Sequence, residues 1–139
     1  MPKNVKSPRR RLTRRELRDL DLEIGFLEGL VRRDPTYVEA LQILGDNYTR
    51  RGRFTEGLKV DQRLSRLRPD DSIVYYNLAC SYSLTSQIES AAQALAAAID
   101  LGYRDFEAMD KDADLENLRQ CAEYKRIRAK IRRLQSKTR

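Results

Sequence analysis

Histidine is missing from the sequence. With it go Ser-His and Cys-His nucleophile pairs, the HExxH zinc site and every histidine metal ligand. Cysteine is reduced to Cys80 and Cys121, far apart and without CxxC spacing, so both read as small core residues. Glycine and proline are sparse, six and four residues, and β-branched residues are few. Leu, Ala and Arg are abundant instead, and all three favour helix. No apolar run approaches the roughly 18 residues that a membrane span needs. The opening MPKNVKSPRRR has charges but no apolar stretch after them, unlike a secretory leader. The expected setting is therefore soluble and cytoplasmic, and the glycosylation triplet Asn47-Tyr48-Thr49 has no secretory route to give it meaning.

Apolar residues make up 40% of the chain and charged residues 35%, a lean balance for a compact globule and a natural one for a thin helical stack. The net charge of +7 is unevenly placed. Residues 1–15 contribute +7, residues 122–139 another +7, and the stretch between them −7. Basic ends of this kind serve either as solubilising tails or as arms for nucleic acid and other acidic surfaces.

The chain repeats itself. A shift of 34 residues lays Pro35 on Pro69, Leu41 on Tyr75, Leu44 on Leu78 and Tyr48 on Tyr82. Small residues coincide too, Gly45 with Ala79 and Gly57 with Ala91. Leu30, Leu64 and Ala98 form a three-member series, as do Arg33, Leu67 and Leu101. Leu44 and Tyr48, four apart, share one helical face. The small residues mark where paired helices cross closely. Asp34-Pro35 reads as a cap and first-turn proline of a helix, and Asp70, Asp71 or Ser72 as a cap of the equivalent one. Gly52, in Arg51-Gly52-Arg53, supplies a turn with positive φ.

These positions resemble the tetratricopeptide repeat. Leu41, Leu44, Gly45, Tyr48, Gly57, Leu64 and Pro69 carry the likeness in residues 38–71. Tyr75, Leu78, Ala79, Tyr82, Ala91, Leu95 and Ala98 carry it in residues 72–105. Asp61 stands where the family has an aromatic, and Tyr103 where it has proline. Thr13-Arg14-Arg15-Glu16 has the form of a capping box. Leu17, Leu20, Ile24, Leu27 and Val31 follow it at helical spacing. Residues 13–33 therefore read as an N-terminal capping helix, equivalent to the second helix of a repeat whose first helix is missing. Gly102, Asp112, Asp114, Leu115, Leu118 and Arg119 resemble the segment that closes many bacterial arrays of the family. With Asp112 as cap and Ala122, Ile127, Ile131 and Leu134 on its face, that segment reads as a last helix over 113–134. The implied fold is all-α: a right-handed helical-hairpin solenoid of two repeats with N- and C-terminal capping helices. A basic arm, 1–12, precedes the helical domain, 13–134, and a short basic tail, 135–139, follows it.

No motif carries catalysis. Asp110, Asp112 and Asp114 alternate like the start of a calcium loop, but Leu115 and Cys121 occupy the places that need Gly and Glu, so the aspartates read as helix caps. No Gly-rich phosphate loop, nucleophile elbow or metal quartet is present, and no enzyme activity, cofactor or metal is expected. The resemblance implies a concave groove lined by first helices, which accepts an extended peptide or a helix. Position matching gives Glu39, Gln42, Asp46 and Thr49 from one unit and Ile73, Tyr76, Asn77, Cys80 and Ser83 from the next. Packing against the terminal helices is the alternative use of these positions in so short an array. The family's clamp for a chaperone's C-terminal carboxylate is not matched, since Gln42 and Asp46 replace its first-helix residues and only Asn77 and Lys111 fit. The function expected is a protein-binding adaptor or scaffold. The alternative is a nucleic-acid-associated protein touching phosphates through Arg9, Arg10, Arg11, Arg14, Arg15, Arg126, Lys130 and Arg133. Self-association through an uncovered end of the array is a third reading.

Overall fold

The computed structural model describes residues 11–137. Arg9 and Arg10, and most of the expected basic arm, lie outside them. The described residues form eight α-helices and one 3-10 turn: α1 (Arg14–Arg33), α2 (Val38–Arg51), α3 (Phe54–Leu67), α4 (Ser72–Leu84), α5 (Ile88–Asp100), α6 (Phe106–Lys111), the 3-10 turn (Ala113–Leu115), α7 (Glu116–Arg119) and α8 (Tyr124–Lys137). Successive helices pack in adjacent pairs, so the architecture is an all-α array of helical hairpins.

Local chemistry explains most of the boundaries. Thr13 accepts a hydrogen bond from the Glu16 amide at 3.1 Å, the N-cap half of the expected box. Asp71 receives the Ile73 and Val74 amides at 2.9 and 3.3 Å and starts α4. Gly52 takes φ of 85° and ends α2, and the Arg53 amide closes back onto the Tyr48 carbonyl at 2.8 Å. The reading of Asp34 as a helix N-cap needs correction. Its carboxylate binds the Thr36 amide and hydroxyl at 3.1 and 2.9 Å, making a local turn, and α2 begins later, at Val38. Asp competes for nearby backbone in this way wherever the chain is not yet helical.

Buried side chains form two clusters. Leu20, Ile24, Leu27 and Val31 of α1 meet Leu41, Leu44 and Tyr48 of α2 and Leu64 of α3 in the first. The second joins Tyr76, Ala79, Leu95 and Ala98 of α4 and α5 to Met109, Leu115, Leu118, Tyr124 and Ile127 of the C-terminal segment. The close crossings fall where small residues coincide. A Cβ on Gly45 would stand 3.3 Å from Val60 and Asp61 side-chain atoms, and one on Gly57 would stand 3.3 Å from Thr49 Oγ1. Asp61, out of place against the repeat pattern, is buried and accepts a hydrogen bond from Ser81 of α4.

The C-terminal segment departs from the single helix expected over 113–134. It is broken into the 3-10 turn, α7 and α8, and α8 continues to Lys137. Helical geometry gives the reason. Leu118 and Ile127 are both fully buried, yet nine residues at about 100° each put them on opposite sides of a straight helix. The turn at 120–123 removes the conflict: the Leu118 amide reaches Ser83 of α4, α8 packs against α5, and both side chains enter the same buried cluster.

Three substitutions test this packing. Gly25 and Gly29 lie inside α1 with open space where a Cβ would go. Gly25→Ala and Gly29→Ala should each stabilise the chain by about 0.5–1 kcal/mol in urea unfolding. Ser81→Ala leaves the Asp61 carboxylate buried without that donor and should cost about 1–3 kcal/mol by the same measurement.

Candidate functional site

The repeat-matched groove residues divide into two groups. Those of α4 are covered. Tyr76 is 1% exposed, Cys80 2% and Ser83 0%, because the segment from Tyr103 to Arg119 folds back over them. The Tyr76 hydroxyl donates to Asp112 at 2.7 Å, and its ring lies 4.3 Å from that of Tyr103, centre to centre. Cys80 points its thiol at the same carboxylate from 3.9 Å. Ser83 accepts the Leu118 amide at 3.1 Å, and its carbonyl receives the Asn117 side chain at 3.0 Å. The expectation that Tyr76, Cys80 and Ser83 line an open groove is corrected: they form an interior seam. A buried phenol and hydroxyl need partners, and the returning segment supplies them. Ile73 and Asn77 are half-buried at the seam's margin.

Those of α2 remain accessible. Glu39, Gln42 and Asp46 are exposed and share one helical side with Arg50. Ile43, 48% exposed, lies in the middle of that side, and sequence matching missed it. Its signal was an apolar residue on an otherwise polar stripe, four after Glu39 and three before Asp46. Tyr37, just before α2, is 42% exposed. Thr49 is half-buried and spends its hydroxyl on the Gly45 carbonyl at 3.2 Å. What the geometry offers is a short surface with an apolar centre and two carboxylates.

The candidate phosphate contacts also divide. Arg11, Arg14 and Arg15 are exposed at the start of the array, and Arg133 is exposed on α8. Arg126 pairs with Glu89 of α5 at 2.7 Å, and Lys130 with Asp100 at 2.6 Å. The Arg126 guanidinium holds the Glu89 carboxyl below the usual carboxylate range. Near the turn, Arg119, Lys125 and Arg128 line a shallow cavity of about 330 Å³, with the Arg128 guanidinium 5.2 Å from the centre of the Tyr124 ring. The three alternating aspartates serve separate tasks: Asp112 takes Tyr76, Asp110 takes the Tyr124 hydroxyl at 3.0 Å, and Asp114 is buried. No group of three or more acidic or thiol side chains among the described residues is placed to hold a metal ion. No helix of the described residues is long and apolar enough to cross a membrane.

The class defined by this geometry is an array of helices packed as sequential antiparallel hairpins. No family model matches the chain. It is similar to a chloroplastic protein of Arabidopsis thaliana, with 31% identity over 83 residues. The match covers 58% of this chain and 25% of that protein, so the chain spans about a quarter of its relative.

Burial of the seam predicts its alkaline behaviour. Desolvation raises the Tyr103 and Tyr124 phenols from 10.0 to about 12, the latter helped by Asp110, and drives Tyr76 higher still. An acid whose folded value is raised binds its proton longer in the fold than in the unfolded chain. Its stabilisation is complete below about pH 10 and is lost as pH climbs towards 12. Urea midpoints should therefore be flat up to about pH 9 and collapse between about 10 and 12. A midpoint that stays constant to pH 12 would mean these phenols are in water.

Proposed function

We propose that the chain is a non-enzymatic protein-binding module that holds a partner segment on the open side of α2. The observation carrying this reading is the asymmetry of the groove: α4 is sealed by the chain's own C-terminal segment, and α2 is not. Ile43 is the apolar anchor, and Gln42 offers an amide to the partner's backbone. Glu39 and Asp46 favour a segment that is neutral or basic where it crosses them, and disfavour an acidic tail. Ile73 and Asn77, at positions of α4 equivalent to Glu39 and Ile43, extend the surface at its edge. The likeness to the tetratricopeptide repeat and the sequential hairpin packing support a scaffold role.

A second reading, contact with nucleic-acid phosphates, draws support from Lys125 and Arg128 beside the shallow cavity and from exposed Arg133, whereas Arg119 there is held by Glu116 and the Met109 carbonyl. Against it stand Arg126 and Lys130, whose charges are already met by Glu89 and Asp100.

Affinity capture with nuclease treatment separates the two. Ile43→Asp combined with Glu39→Lys should lower recovery of the partner protein by about tenfold or more, with stability within about 0.5 kcal/mol because both sites are exposed. Arg128→Glu with Arg133→Glu should leave that recovery unchanged. The reverse pattern, with a nuclease-sensitive partner, would make phosphate contact the function.

A further inference from the structure

The two complete hairpins fix where a second helix receives its first. In α3, Val60 and Leu64 are buried, Val60 against the close crossing at Gly45 of α2. In α5 the equivalents are Ala94 and Ala98, also buried. One period of 34 residues earlier, the same positions fall on Phe26 and Leu30 of α1. Here the burial fails: Phe26 is 67% exposed and Leu30 only half-buried. Among the described residues, α1 is a second helix with no first helix laid on it.

The vacant side has a definite character. Arg15, Arg18, Leu22, Phe26, Gly29 and Arg33 follow at spacings of three and four, so they form one stripe. Leu22 is 74% exposed, and a Cβ on Gly25 or Gly29 would meet nothing within 4 Å. The centre is therefore apolar and low enough for another helix to approach closely, and both ends are cationic. Three acids of α1 are turned to α2: Asp21 to Arg51 at 2.7 Å, Glu23 to Asn47 at 3.1 Å and Glu28 to Tyr48 at 2.6 Å. Asp19 alone among the acids at this edge is exposed without such a turn.

We infer that this side of α1 docks an amphipathic helix of a partner protein, apolar at its centre and acidic at both ends. Charge selects the occupant. A second copy packed antiparallel, Leu22 on Phe26, would set Arg15 against Arg33, and a parallel copy would set each arginine beside its twin. Residues 1–10 bring Lys3, Lys6, Arg9 and Arg10 and no acid, so they meet the same repulsion. A helix with carboxylates at its two ends meets arginines instead. The site is separate from the α2 surface and does not depend on it.

The test uses the full chain and two synthetic helical peptides of about five turns, long enough to match α1. Both carry the same Leu/Ala stripe; one has Glu at its ends, the other Lys. In fluorescence anisotropy the Glu-ended peptide should bind at least about tenfold tighter, with the gap shrinking as salt rises. Phe26→Asp should abolish binding without moving the melting curve, Arg15→Glu with Arg33→Glu should reverse the preference, and Ile43→Asp should change nothing. Equal binding of the two peptides, or binding that survives Phe26→Asp, would overturn the inference. So would a sedimenting dimer dispersed by Phe26→Asp, which makes a second copy the occupant. Peptide binding that appears only after residues 1–10 are deleted would equally overturn it in favour of the chain's own segment.

Discussion

The hydrogen bond from Tyr76 to Asp112 is the constraint on which the C-terminal half of the molecule turns. A phenol sunk to 1% exposure must find an acceptor or lose its hydration without return. Asp112 supplies it, and the same carboxylate receives the Asp114 amide that starts the 3-10 turn. One side chain thus fixes both where the segment lands and how it winds. Cys80 and Ser83 are sealed as a consequence. It also explains why α4 is so apolar all round: Val74, Tyr76, Leu78, Ala79 and Cys80 are all buried, on more than one side. A helix of that kind is a central helix. Its sealed side, at Tyr76, Cys80 and Ser83, cannot also be the wall of an open groove.

Charge organises the outer layer. The acidic middle of the sequence and its basic end meet across α5 and α8, through Glu89 with Arg126 and Asp100 with Lys130. Exposed pairs such as these add little stability each and are weakened by salt. Their effect is on orientation: the cations of α8 that face α5 are satisfied there, and the remainder face outward. The uneven charge of the sequence is therefore partly an internal arrangement of the fold.

Two accessible surfaces among the described residues have an apolar centre, and they differ in kind. The α2 side sets Ile43 among Glu39, Gln42 and Asp46, whereas the α1 side sets Leu22 and Phe26 between arginines. On the proposed readings, opposite electrostatics on two apolar centres would let two partners be told apart without large contact areas, because like charge at the wrong surface penalises binding.

Periodicity alone determined the hairpins. The 34-residue repeat, Gly45 and Gly57 at the crossing, Gly52 at the turn and Thr13 and Asp71 as caps are local signals, each acting within a few residues. Tertiary structure decided the rest. Leu118 and Ile127 would lie on opposite sides of a straight helix yet enter one buried cluster, and only packing against α4 and α5 forces the break at 120–123 between them. Tyr76, Cys80 and Ser83 occupy groove positions by register. Whether such positions face water depends on a segment 32 to 36 residues away in sequence returning to cover them, and no local pattern encodes that return. Ile43 and Phe26 show the converse: Ile43 breaks a polar stripe already in the sequence, but only the structure shows that nothing among the described residues lies over either side chain. Helix formation follows from the nearest few residues, but burial follows from which distant segment arrives.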